Sequence, residues 1–268
     1  MQLHFLEMNI YIIFAYILIF GGIVLWAFLL PRGKKVPNSI VENTTVFGGA
    51  FLLASCFINL APHMYINGFS TPVNHIKIGA AVMLGFIIQL LLEHLTNGVE
   101  HGHNHCHNCE TENEEPRTTN ESHFHPMTGL IIGLSIHAFL EGMPLVDSDG
   151  DIHQGLLYGI VLHNIPIALV LTGLFMHNGY SIMKSIALLS VFAIMTPLGS
   201  LCNIYLVTSN TTIQSLIMGV VVGILLHVSV SILFDKGQNS LNWLKLAIII
   251  MAFVAAYFTP GCPEIYPF

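Results

Sequence analysis

The chain is a succession of long apolar runs joined by polar connections, and the runs have the length of bilayer crossings. Eight can be drawn, at 9–30, 45–66, 76–95, 127–146, 155–176, 182–206, 213–234 and 241–258. A helix of roughly 20 apolar residues spans the hydrocarbon layer while satisfying its own backbone hydrogen bonds. The pattern predicts an all-α polytopic membrane protein, an eight-transmembrane-helix bundle, with residues 1–268 as a single transmembrane domain. Gln89 in the third run and His227 in the seventh leave both predominantly apolar. In the sixth, Thr196-Pro197-Leu198-Gly199 predicts a kink or an interruption. The first run reads as a retained span: no basic segment precedes it, and Arg32, Lys34 and Lys35 follow it.

Composition agrees with the pattern. Charged residues make up 9% of the chain and hydrophobic ones 54%, with a mean hydropathy of +0.72. That balance excludes an ordinary soluble domain. The formal charge is −7, but many of the acids crowd one loop, which argues against nucleic acid as a partner. Arg32, Lys34, Lys35, Arg117, Lys184, Lys236 and Lys245 fall on one side of the membrane and only Lys77 on the other. The positive-inside rule then puts both termini outside the cytoplasm, in a plasma membrane or a bacterial inner membrane. The five cysteines form no disulfide framework, since Cys56 and Cys202 sit in apolar runs and Cys106 and Cys109 share a CHNC motif.

Ionisable residues inside the spans carry the chemistry. His137 and Glu141 in the fourth run are four residues apart, hence on one helical face. His163 and Asn164 lie in the fifth, just before Pro166, which cannot donate to the Leu162 carbonyl. Such groups at bilayer depth are costly unless paired, hydrated or metal-bound. Imidazole, carboxylate and amide oxygen together suit a divalent transition metal. A packing role, as a hydrogen-bonded His–Glu pair or a proline kink with a satisfied histidine, is the simpler alternative for either span alone. Occurring together, the two motifs favour the metal. His227 and His94, the latter beside Glu93, read instead as satisfied interior histidines.

Two connections stand out. The segment 96–126 is polar, flexible by composition and cytosolic by the charge rule, and its EHGHNHCHNC offers His101, His103, His105, Cys106, His107 and Cys109. It could collect zinc-like ions or serve only as a solvated spacer; composition does not separate the two. Asp147, Asp149, Asp151 and His153 form DSDGDIH, which starts like a calcium loop but lacks the distal glutamate. An ordinary solvated turn is the simpler reading, and local enrichment of cations at an entrance is the functional one.

The chain resembles the ZIP (Zrt/Irt-like) family of divalent metal transporters. Its fourth-span His-x-x-x-acid-Gly pattern is met by His137, Glu141 and Gly142, and its fifth-span pattern in part by His163, Asn164 and Pro166. GGAFLLASCFINLAPHM, LGFIIQLLLEH and MTPLGS match the second, third and sixth spans. The chain departs from the family where Asn164 replaces an acid, where Ile167 and Ala168 follow the proline, and where Asn59 and His63 stand at the second-span His and Glu positions. Ile167 removes a bridging ligand, so one main metal position is expected.

The resemblance implies import of a divalent metal toward the cytoplasm, zinc first, with iron or manganese as alternatives. It implies no permanently bound cofactor, a transport site of His137, Glu141, His163 and Asn164, and subsidiary ligands at Asn59 and His63. It further implies a moving unit of spans 1, 4, 5 and 6 and a scaffold that can form a homodimer. The rival readings are an intramembrane metalloenzyme and a non-transporting metal sensor. The chain has no H-E-x-x-H motif and no paired E-x-x-H motifs, which weighs against the enzyme.

Overall fold

A computed structural model describes residues 10–29, 37–69, 75–95, 126–146, 152–206, 211–234 and 242–259. The helices are α1 (Ile10–Leu29), α2 (Asn38–Ser55), α3 (Ala61–Phe69), α4 (His75–Leu95), α5 (Pro126–Gly142), α6 (Gln154–His177), α7 (Ile182–Leu206), α8 (Thr211–Phe234) and α9 (Trp243–Phe258). A π-helical turn, Cys56–Leu60, joins α2 to α3 without a break, so among the described residues the nine α-helices make eight spans. A 3-10 turn, Met143–Leu145, closes α5. Among the described residues the sole β feature is an isolated bridge between Val146 and Ile152. Five spans are long and apolar enough to cross a membrane, and Ile10–Leu25, Gly129–Leu145 and Trp243–Phe258 are shorter apolar helices.

The surface is inverted relative to a water-soluble bundle. Ile10, Phe14, Met83, Leu91, Trp243 and Phe258 project outward, whereas Gln89, His137, Glu141, His163, Asn164, Thr196 and Ser200 are buried. Lipid is as apolar as leucine, so burying apolar surface gives these helices little reason to associate; close packing and internal polar contacts must do it.

Close packing is supplied by glycine. A Cβ added at Gly85 would overlap the Val220 carbonyl, and one at Gly223 the Val82 carbonyl, so α4 and α8 meet backbone to backbone. Gly142 against Thr196 and Gly199 against Phe139 do the same for α5 and α7. Polar contacts add to this: Tyr16 donates to Ser200 Oγ at 2.9 Å between α1 and α7. The packing groups the helices into two sets joined through α6, which packs at least as extensively on α2 as on α1. One holds α1, α5, α6 and α7; the other holds α2, α3, α4, α8 and α9. They meet along a seam made chiefly by α2 on α6 and α4 on α5.

Three local expectations are refined. α2 starts at Asn38 rather than 45, because Thr44 and Thr45 return their hydroxyls to the Ile40 and Val41 carbonyls and Glu42 pairs with Lys245 of α9. α7 continues through Pro197 without interruption. In lipid no water competes for its peptide groups, and Gly199 and Thr196 are clasped by α5. His94 is exposed rather than an interior histidine, and the partner of Glu93 is His227 of α8, 3.4 Å away.

Candidate metal centre

The centre forms where α5 and α6 bring their polar residues to the seam. The α-helical repeat stacks His137 over Glu141, and the two side chains approach to 3.8 Å between Nε2 and Oε2. His163 comes from the adjacent helix, its Nε2 3.4 Å from Glu141 Oε1. Its place nine residues into the 24-residue α6 puts it about 14 Å from the helix start at 1.5 Å per residue, near mid-span. The two imidazole rings are 6.1 Å apart and nearly perpendicular.

All three residues are buried, Glu141 with no exposed surface at all. Their candidate ligand atoms lie within 4.8 Å of one another. Two ligands at about 2.1 Å from one tetrahedral ion sit roughly 3.4 Å apart, so small side-chain adjustments would close this group on a single cation. Neither Glu141 oxygen has a hydrogen-bond donor, and both face imidazole nitrogen instead.

The far side of each imidazole is held. His163 Nδ1 lies 3.0 Å from the Gly159 carbonyl of its own helix, and His137 Nδ1 lies 3.0 Å from Gln89 Oε1 of α4. An oxygen of this kind can only accept, so these two contacts favour the tautomer with the proton on Nδ1, which leaves the Nε2 lone pair facing the interior. Pro166 leaves the Leu162 carbonyl without its usual donor, and that oxygen faces Gly48 of α2, 3.2 Å from where a Cβ would stand. The shape of the seam at His163 therefore depends on Gly48 having no side chain.

The remaining sequence candidates distribute as follows. Asn164 is buried, and neither its amide oxygen nor its nitrogen has a hydrogen-bond partner. Ile167 packs against the apolar core. Asn59 and His63 stand at the N-terminal end of α6: the Asn59 amide abuts Gly155, and the His63 ring meets His153 edge to face at 4.4 Å. They are thus about two to three helical turns from His163. His153 precedes the first residue of α6, and burial, with the neighbouring His63, pushes its imidazole down to about 3. Asp147, Asp149 and Asp151, and the loop residues His101, His103, His105, Cys106, His107 and Cys109, lie outside the described residues.

Sequence reasoning left Gln89 without a role, although an amide in an otherwise apolar span was the available signal. The pairing of His63 with His153 had no signal, because it joins residues far apart in the chain.

A family model, that of the ZIP zinc transporters, matches residues 6–258 of the chain. Among curated proteins none matches it.

Proposed function

Because the chain belongs to the ZIP zinc transporter family, and so carries divalent metal ions across a membrane rather than catalysing a reaction, we propose that its cargo is held at His137, Glu141, His163 and Asn164. The supporting observation is the buried convergence of two imidazoles and one carboxylate, with candidate ligand atoms within 4.8 Å of one another, between membrane helices. A carboxylate there needs a cationic or hydrogen-bonding partner, and a divalent ion supplies one. Asn164 completes the set: a buried amide without partners is expensive unless a ligand satisfies it.

Zinc is the favoured cargo, because two imidazoles, a carboxylate and a neutral oxygen match its four-coordinate chemistry. Iron and manganese tolerate the same donors. The apolar contacts of Ile167 favour one ion position over two. Transport runs toward the cytoplasm, with both termini outside, by displacement of α1, α5, α6 and α7 against the other set. The separate pairing of α5 with α7 and of α4 with α8 supports this division of labour.

The test is metal flux into reconstituted vesicles across zinc, iron and manganese. His137→Ala and Glu141→Gln are expected to abolish zinc uptake, while deletion within 96–126 retains it. Asn164→Asp and Ile167→Glu are expected to change rate or metal preference. Unaltered flux in His137→Ala would refute the site, and unaltered behaviour of both acid-restoring variants would refute the places given to Asn164 and Ile167.

A further inference from the structure

The two histidines of the centre are oriented in different ways. His163 is held by the Gly159 carbonyl of the same helix, so its support travels with α6. His137 is held by Gln89, which lies on α4 in the opposite set of helices and is itself completely buried. An amide is rarely placed at bilayer depth without a partner, because hydrocarbon offers it none. Here its oxygen meets His137 Nδ1, the ring atom that faces away from Glu141.

The tautomer of a metal-binding histidine is set by what its second nitrogen bonds to, and such supporting groups raise the basicity of the ligand. We propose that Gln89 is a positioning residue for His137, one that fixes the metal-binding tautomer from across the seam and so ties the strength of ion binding to the relative position of the two helix sets. While α4 and α5 are arranged as here, the Nδ1 proton is committed to Gln89 and the Nε2 lone pair points to the ion. Once α5 moves relative to α4, that bond breaks and His137 can rotate or change tautomer. The ion then loses one preoriented ligand while His163 keeps its own support. Tight capture and easy release thus belong to different arrangements of the same residues.

This inference rests on the reading of His137 as a cargo ligand, and the experiment separates the two. Zinc titration of the purified chain would compare wild type, His137→Ala, Gln89→Met and Gln89→Glu, together with zinc uptake and the 15N spectrum of the His137 ring. Loss of a supporting partner of this kind costs about 10–100-fold in metal affinity. Gln89→Met, similar in size but without the acceptor, is expected to weaken zinc binding at least tenfold. It should raise the KM of uptake without lowering the maximal rate, and replace the single Nδ1–H signal of His137 by that of mixed tautomers. Gln89→Glu keeps the acceptor and should bind zinc at least as tightly as wild type.

Wild-type affinity and an unchanged His137 spectrum in Gln89→Met, with binding lost in His137→Ala, would overturn the role of Gln89 alone. Wild-type binding in His137→Ala would remove the site itself. Should Gln89→Met fail to fold, weakened binding by a folded Gln89→Glu overturns the proposal and wild-type or tighter binding upholds it.

Discussion

The contact of α5 with α7 and the contact of α2 with α6 both depend on glycine, yet they are built to different tolerances. At Gly142 and Gly199 an added Cβ would overlap a backbone oxygen of the facing helix. At Gly155 and Gly159 it would meet side chains, Asn59 and Leu52, and at Gly48 it would lie 3.1 Å from the His163 Cα. Backbone cannot yield without moving a whole helix. The Gly48 contact is also with backbone, but at 3.1 Å it is wider than the overlaps at Gly142 and Gly199, and at Gly155 and Gly159 the facing side chains can turn. The first kind of contact fixes two helices as a unit, and the second lets neighbouring units change position. The candidate centre sits on the second kind, where a ligand set gains most from relative movement.

The same substitution at the two contacts tests this difference most sharply. Gly142→Ala is expected to cost about 3 kcal/mol of stability, the upper part of the usual range for overpacking, seen as a lowered melting temperature in detergent. Gly48→Ala should cost only about 1 kcal/mol, while reducing zinc affinity severalfold through the displaced His163 backbone. Equal destabilisation by the two variants would erase the distinction. Within one set, Glu42→Gln takes its carboxylate from the buried Lys245 and should cost about 1 kcal/mol, the partial exposure of Glu42 keeping it below the cost of breaking a fully buried pair. Zinc uptake should be untouched; a large transport defect would show that the α2–α9 contact also works during transport.

A separate effect concerns pH at the N-terminal end of α6. His153 is held down to about 3 in the folded chain against an ordinary value of 6.5, so the unfolded state binds more protons between those limits. Stability from this residue is fully present above 6.5 and declines as pH falls below it. Melting temperatures of wild type and His153→Phe, compared at pH 7 and pH 5, should converge or cross toward pH 5 as wild type loses more. A parallel decline in both would assign the pH response to other groups.

Much of this architecture was legible because lipid enforces simple rules. Apolar length alone located the eight spans, and the four-residue spacing of His137 and Glu141 put them on one face. The approach of His163 to the same carboxylate could be expected from its depth but not measured, because the helix rotation that brings it there is set by α2 and Gly48. The early start of α2 was hidden since Glu42 and its polar neighbours look like a loop until Lys245 is seen beside them. Gln89 was visible as an anomaly, but its partner stands 48 residues away. Asn59 and His63 were placed by resemblance as subsidiary ligands, and nothing local signalled that they would meet Gly155 and His153 at the end of α6.

The π turn at Cys56–Leu60 explains why that end of the molecule takes the form it does. One surplus residue in a helix with 3.6 residues per turn is a phase shift of about 100°. Span 2 is therefore two regular half-helices out of step, the first phased to seat Gly48 on His163 and the second to turn His63 toward the start of α6, with Asn59 in the π turn between them. An uninterrupted α-helix through the same sequence could satisfy one of those alignments but not both. The extra residue acts as a gear between mid-membrane and mouth, letting a single span answer to two different neighbours.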